Sequence, residues 1–335
     1  MHRAGLEFAS MSQNNTTTVY AGIDIAKDTL QLSLCGASEN LPNNARGHAR
    51  ILKLLCAAEA ARPGAKVHII LEATGGYEAA LCAALHAAGK VLSIIQPLRA
   101  RHFARARGEQ AKTDPIDADV LTAFGEAMRP APTPAPSAAQ THLGELVGRR
   151  AQLIETRTAE TNRAAHYTDK LLCRQSRALL ALLNRQVSQC DAAIAAQLAA
   201  DAPMKARAER VQQVAGIGPV VAAILQAGMP ELGTLDEGQA AALAGLAPYN
   251  RDSGPRQGVR SIRGGRAPVR CALYMTALSA VRHDRILREF YLRLRAAGKK
   301  PMVALTAAMR KLIVLLNRML KNPQFHLLTS EALHA

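Results

Sequence analysis

Four acidic residues in the first half of the chain have the types and spacing of a reactive centre: Asp24, Glu72, Asp114 and Asp117. Asp24 lies within TVYAGIDI (18–25). In such an apolar, β-branched run a charge is costly unless it is paired or holds a cation. Glu72 ends a second apolar run, HIILE, where the carboxyl end of a sheet opens onto a crevice. Asp114 and Asp117 stand three apart in DPIDADVL, so on a helix they share a face. Each has an ordinary explanation when taken alone. Asp24 could face water from an edge strand, and DPIDAD could be an acidic first turn favoured by the helix dipole. As a set they are oxygen donors suited to Mg²⁺ or Mn²⁺. Two such ions clamp the attacking and leaving oxygens of a phosphodiester. Four like charges held together repel, so the cluster is expected to be stable only with cation bound.

The elements that must position these acids can be read from periodicity. Residues 18–25 read as a strand and 30–36, alternating polar and apolar, as its hairpin partner. Residues 49–61 read as a helix, 66–74 as a buried strand, 77–89 as a helix ended by Gly89, and 91–97 as a strand closed by Pro97. Residues 114–128 read as a helix with Asp114 at the N-cap and Pro115 in the first turn. This order predicts an α/β domain with a mixed sheet over 18–128. One acid on the first strand, one on a later strand and two on a following helix is the layout of a ribonuclease-H-type active site. An actin-like ATPase or sugar kinase is a rival, because GIDIAK (22–27) and EATGGY (72–77) resemble that fold's phosphate loops. The DPID helix and the basic C-terminal half would have no role in such an enzyme.

Residues 1–17 read as a disordered tail, and Met11 is a second possible start. The first residues lack the apolar core of a signal peptide, and no apolar run is long enough to span a membrane, so a cytoplasmic, nucleoid-associated protein is expected. RPAPTPAPSAA (129–139) reads as a stiff Pro/Ala linker. Residues 140–205 read as a helical hairpin or coiled-coil arm, and 206–325 as an all-α C-terminal domain interrupted by a Gly/Arg loop at 250–266. Gly216 and Gly218, in VAGIGPVV, suit either a phosphate-binding helix-hairpin-helix turn or a plain tight turn.

Net charge is +16, and its placement matters more than its size. Residues 249–321 hold 17 Lys/Arg against 3 Asp/Glu, whereas the rest of the chain is close to balanced. A block of that kind is the footprint of a polyanionic partner. Aromatic residues make up 3% of the chain, with no Trp, which argues against binding mainly by stacking on bases. The six cysteines form no CxxC pair and are expected to be buried, reduced thiols. His68 and His86 read as core-edge residues rather than ligands.

GIDIAKDTL (22–30), EATGGY (72–77) and KTDPIDADVL (112–121) resemble the three acidic motifs of the insertion-sequence 110 transposases. That family includes the pilin-inversion recombinases and the RNA-bridged recombinases. VAGIGPVVAAIL (214–225), LAGLAPYNRDSGPRQG (243–258) and RCALYMTAL (270–278) extend the resemblance to about residues 18–320. Each motif is short, and their order and spacing carry the match. The resemblance implies a ribonuclease-H-like (Holliday-junction-resolvase-like) catalytic domain whose tetrad maps onto Asp24, Glu72, Asp114 and Asp117, with Mg²⁺ or Mn²⁺ as cofactor. It also implies a serine nucleophile in a C-terminal loop. Asp252-Ser253-Gly254 matches that pattern, with Ser261 as the nearby competitor. Arg251, Arg256, Arg260, Arg263 and Arg266 would neutralise phosphate charge around it. Pro255 and Arg256 depart from the family pattern beside the serine. The implied partners are DNA at the element ends and target, a structured bridge RNA, and further copies of the chain, a dimer assembling to a tetramer with a composite site. Sequence choice would then reside in base pairing, with the protein gripping backbones.

Overall fold

The computed structural model describes residues 18–109, 114–250, 258 and 260–325. The chain divides into two compact units at Ala135/Pro136.

The first unit is a mixed five-stranded sheet. Strands β1 (Thr18–Ile25), β2 (Thr29–Leu34) and β3 (Ala37–Pro42) form an antiparallel meander. β4 (Lys66–Glu72) pairs parallel with β1, and β5 (Val91–Ile95) pairs parallel with β4, giving the order β3-β2-β1-β4-β5. The parallel pairs are joined through α1 (Ala45–Ala60) and α2 (Ala79–Ala87), and β5 leads into α3 (Pro97–Ala106) and α4 (Asp114–Met128). Two of these were not expected. β3 is a polar segment, and Pro97 begins a helix instead of closing a strand.

Side-chain alternation along the strands separates two layers. Ala21, Ile23 and Ile25 of β1 join Val67, Ile69 and Leu71 of β4 in a core closed by Ile51 and Leu55 of α1 and Leu81 and Leu85 of α2. The intervening residues point to the opposite face, where Ile70 and Ile95 pack with Leu121 and Phe124 of α4 and Ala100 of α3, flanked by Tyr20 and Phe103.

The Pro/Ala segment after α4 is not a free spacer along its first part. Thr133 donates its amide to Leu92 O at 2.7 Å and accepts from Ile94 N at its hydroxyl, so it lines the open edge of β5. Ser93 Oγ donates to Ala131 O at 2.8 Å and bonds the buried His68 imidazole, while His86 Nε2 bonds Thr133 O. Both histidines are structural, and burial holds His68 below its usual range. The strap also covers a sheet edge that would otherwise expose unpaired backbone groups.

The second unit is mostly helical. α5 (Ala138–Ala164) and α6 (Lys170–Ala200) form a long antiparallel hairpin, tied by Leu153 against Leu183 and Val187 and by an Arg150–Asp191 ion pair at 2.5 Å. Ser137 caps α5 by accepting from Gln140 N. Near the tip, α6 exposes Leu171, Leu172, Leu179 and Leu182. α7 (Ala202–Gln212), α8 (Pro219–Gly228), α9 (Glu237–Leu243), α10 (Ala267–His283), α11 (Arg285–Ala296) and α12 (Pro301–Lys321) share a core with the base of the hairpin. The unit is not all-α. β6 (Pro248–Tyr249) pairs antiparallel with β7 (Ser261–Ile262). No helix among the described residues is long and apolar enough to cross a membrane. All six cysteines are free, but only Cys82 is buried, and Cys35, Cys56 and Cys271 are exposed, against expectation.

Candidate active site

The strand register builds one side of the site. The parallel β1–β4 pairing runs as far as Ile23↔Leu71, so Asp24 and Glu72 are the next two residues on adjacent strands. Adjacent strands lie about 4.8 Å apart. Both acids have the parity of Tyr20 and Ile70, which places them on the α4 face.

α4 supplies the other side. It can approach β1 because residue 22 is glycine. A Cβ there would stand 2.1 Å from Ala118 O and 2.6 Å from Thr122 N. At the far end of the contact Gly125 has the same role, since its Cβ would fall 2.5 Å from the Tyr20 ring. Ala118 thus lies over Gly22 and Gly125 over Tyr20, so α4 runs antiparallel to β1. Its first turn, with Asp114 and Asp117, arrives at the carboxyl ends of β1 and β4.

Asp24, Glu72, Asp114 and Asp117 therefore line one cleft of about 650 Å³. Asp24, Glu72 and Asp117 are half-buried and Asp114 is exposed. Among the described residues no three His, Cys, Asp or Glu side chains converge as ligands of one ion, so the set is more open than the tight cluster expected. Its donor chemistry still suits Mg²⁺, which binds through one or two carboxylates and completes its octahedron with water and substrate phosphate.

The same cleft contains groups that the sequence reading missed. Arg101 and Arg105, one turn apart on α3, line it, as do Glu109 and Thr74. The signal for them was Pro97, a good first residue for a helix, followed by arginines at i,i+4 spacing.

The kinase-like reading fails at its second loop. In EATGGY the amides of Thr74 and Gly76 both donate to the Glu78 carboxylate, at 3.1 and 2.9 Å. A phosphate cradle needs those amides. In GIDIAK, Ala26 N donates to Thr29 O and closes the β1–β2 turn.

In the second unit Ser253, Arg251 and Arg256 lie outside the described residues. The β6–β7 ribbon pairs Tyr249 with Ser261, on either side of the segment that carries Ser253. Its neighbourhood is fixed by glycine on glycine. A Cβ on Gly265 would lie 2.1 Å from Gly245 N, and one on Gly245 would lie 2.3 Å from Gly264 O. Arg260 is exposed, and Arg263 lies over the Tyr249 ring at 4.7 Å. Arg266 has a different role from the one expected. It forms a two-pronged ion pair with Glu231 at 2.7 and 2.6 Å and also donates to Gly228 O. Burial pushes the Glu231 carboxyl up, but hydrogen bonds from Arg266 and the nearby Arg207 charge outweigh it and hold the group below the usual carboxylate range. Gly216 has a positive φ of 87° and packs against Thr276 O and Ser279 of α10, which accounts for it without a phosphate. Gly218 stands at the open N-terminus of α8.

The described residues thus form a carboxylate-lined α/β unit and a mostly helical one. A transposase family carrying the four-acid DEDD label matches residues 21–172, and the transposase IS116/IS110/IS902 family matches residues 208–292. The chain is 27% identical over 314 residues to the pilin gene-inverting protein of Moraxella bovis, covering 88% of this chain and 94% of that one. The pilin gene-inverting protein of Moraxella lacunata matches equally, at 27% over 314 residues. An insertion element IS116 protein of Streptomyces clavuligerus is 35% identical over 156 residues, 46% of this chain and 38% of that protein. The chain belongs to the IS110 family of transposases and DNA recombinases. It is thus a DNA-recombining enzyme, and its four-acid signature points to a divalent metal.

Proposed function

We propose that the chain cuts and rejoins DNA strands through a ribonuclease-H-like carboxylate cleft working with Ser253. The observation that carries this reading is the convergence of Asp24, Glu72, Asp114 and Asp117 on one cleft from β1, β4 and the first turn of α4. The sheet order, an antiparallel meander followed by two parallel strands, supports the ribonuclease-H-like assignment. Asp24, Glu72, Asp114 and Asp117 would hold Mg²⁺ or Mn²⁺, which when bound would supply Lewis-acid charge to a scissile phosphate. The carboxylates fix the cation side of the site. The Ser253 hydroxyl forms the new bond to phosphorus as the bond to the departing strand breaks, and the departing oxygen takes up a proton. Attack by the partner strand's hydroxyl then reverses the step and frees the serine. Arg251, Arg256, Arg260 and Arg263 neutralise charge on the phosphate in flight, whereas Arg266 supports the fold through Glu231.

The relatives, a pilin gene-inverting protein and an insertion-element protein, suggest inversion or transposition as the biological outcome. A structured bridge RNA chooses sequence by pairing, and the basic block grips backbones. The exposed leucines of α6 support assembly of dimers into a tetramer in which acids and serine come from different copies. The phosphate role of Gly218 belongs to the same reading.

Two measurements test it. Mn²⁺ titrated into the full chain and followed by its paramagnetic resonance should bind tightly, and the Asp117→Asn variant should bind about 10- to 100-fold more weakly. Equal affinity in both would remove the metal from this cleft. A denaturing quench during recombination should leave DNA covalently attached to the peptide containing Ser253. Attachment at Ser261, or none, would overturn the nucleophile.

A further inference from the structure

Two arginines line the carboxylate cleft. Arg101 and Arg105 both line the cleft from α3 and both are exposed. Arg99 on the same helix is engaged elsewhere, its guanidinium 5.3 Å from the Phe124 ring. Arg101 and Arg105 form no ion pair or side-chain hydrogen bond among the described residues, although five acids line the same cleft. Arginines placed to neutralise those acids would stand within ion-pair reach of them. These two stand one helical turn apart, which is about 5–6 Å between Cβ atoms, and line the cleft with no such pairing.

That arrangement suits a bound polyanion. An acid-lined cleft repels a phosphodiester backbone, and two forked guanidinium groups in the same lining offset this. Guanidinium matches phosphate in two-pronged geometry, which a lysine ammonium does not. We propose that Arg101 and Arg105 are positioning residues that grip the DNA backbone beside the scissile phosphate and hold the strand in the cleft. The proposal rests on the reading of this cleft as the place where the phosphodiester is cut. DNA is the expected occupant because the family's reaction joins DNA.

The test uses the full chain and a fluorescent mixed-sequence duplex DNA, with affinity measured over a series of monovalent salt concentrations at fixed Mg²⁺. Each phosphate that the protein ceases to neutralise lowers the log–log salt slope by about 0.9. Arg101→Gln/Arg105→Gln should therefore lower the slope by about 2. Arg101→Lys/Arg105→Lys should keep the slope and lose affinity. The control Arg46→Gln/Arg62→Gln removes the same charge from exposed positions outside the cleft and should leave the slope unchanged. An unchanged slope in the first variant, an equal fall in the control, or a fall on double-stranded RNA without one on DNA would overturn the proposal. The underlying reading fails differently. If the slope falls as expected but Asp24→Asn recombines at the normal rate, the arginines hold DNA and the metal site is misassigned. If the slope is unchanged while Asp24→Asn is dead, the arginine proposal falls alone.

Discussion

Recombination by the Asp24→Asn variant is expected to fall by roughly 10²- to 10³-fold, the scale of losing one electrostatic stabiliser from a preorganised site. The substitution keeps the shape of the side chain and removes its charge. Asp24 follows the last β1–β4 pair, Ile23↔Leu71, and lines the cleft with Glu72 and the first turn of α4, so an amide there leaves the cleft with one fewer anionic oxygen. The backbone pairing of residue 24 with Gln31 does not depend on the side chain. The variant should therefore fold, with a thermal midpoint near wild type. It should also still bind nucleic acid, because the Lys/Arg excess lies at 249–321. A plasmid recombination assay paired with fluorescence anisotropy separates the two properties. A folded variant that recombines at the wild-type rate would remove Asp24 from the chemistry. Loss of binding with the fold intact would make it a DNA contact instead.

The acids could be found in the sequence because each sits where local physics makes a charge conspicuous. Asp24 and Glu72 interrupt or end apolar strands, and the two-residue strand period places both on one face. α4 has the bounds its pattern implies, Asp114–Met128, because an acidic first turn with Pro115 marks its start. Long-range pairing was not legible. β3 is polar and gains its strand structure from β2 alone, with Gln31 bonding Ser38 and Asn40 across the pair. α3 buries only Ala100, so it has almost no apolar stripe to read, and its cleft-lining arginines went unseen. The Pro/Ala run resembles a spacer by composition, yet Thr133 and the carbonyls around it satisfy the edge of β5. Arg266 resembles its loop neighbours in sequence, but its partner Glu231 is 35 residues away and only folding brings them together. Ser253 rests on the family resemblance, since it lies outside the described residues.

Gly22→Ala tests whether seating α4 on β1 is what assembles the site. One methyl group is expected to destabilise the first unit by about 3 kcal/mol, the upper range for forcing volume into a packed contact, and to lower its thermal midpoint by roughly 10 °C. The obstruction is backbone on both sides, Ala118 O and Thr122 N on α4 against a central strand. No side-chain rotation relieves it, so the helix must lift. Gly125→Ala provides the comparison. Its new methyl meets the Tyr20 ring and Ile70 Cγ1, side-chain atoms that can shift, so its effect should be smaller. Lifting α4 carries Asp114 and Asp117 away from Asp24 and Glu72, so Gly22→Ala should lose Mn²⁺ affinity together with stability. Asp24→Asn should lose metal and activity without stability. That difference would separate residues with the proposed chemical role from the glycine that brings them together. If Gly22→Ala melts like the wild type, the helix is not held against the strand as described, and the carboxylates owe their convergence to something else.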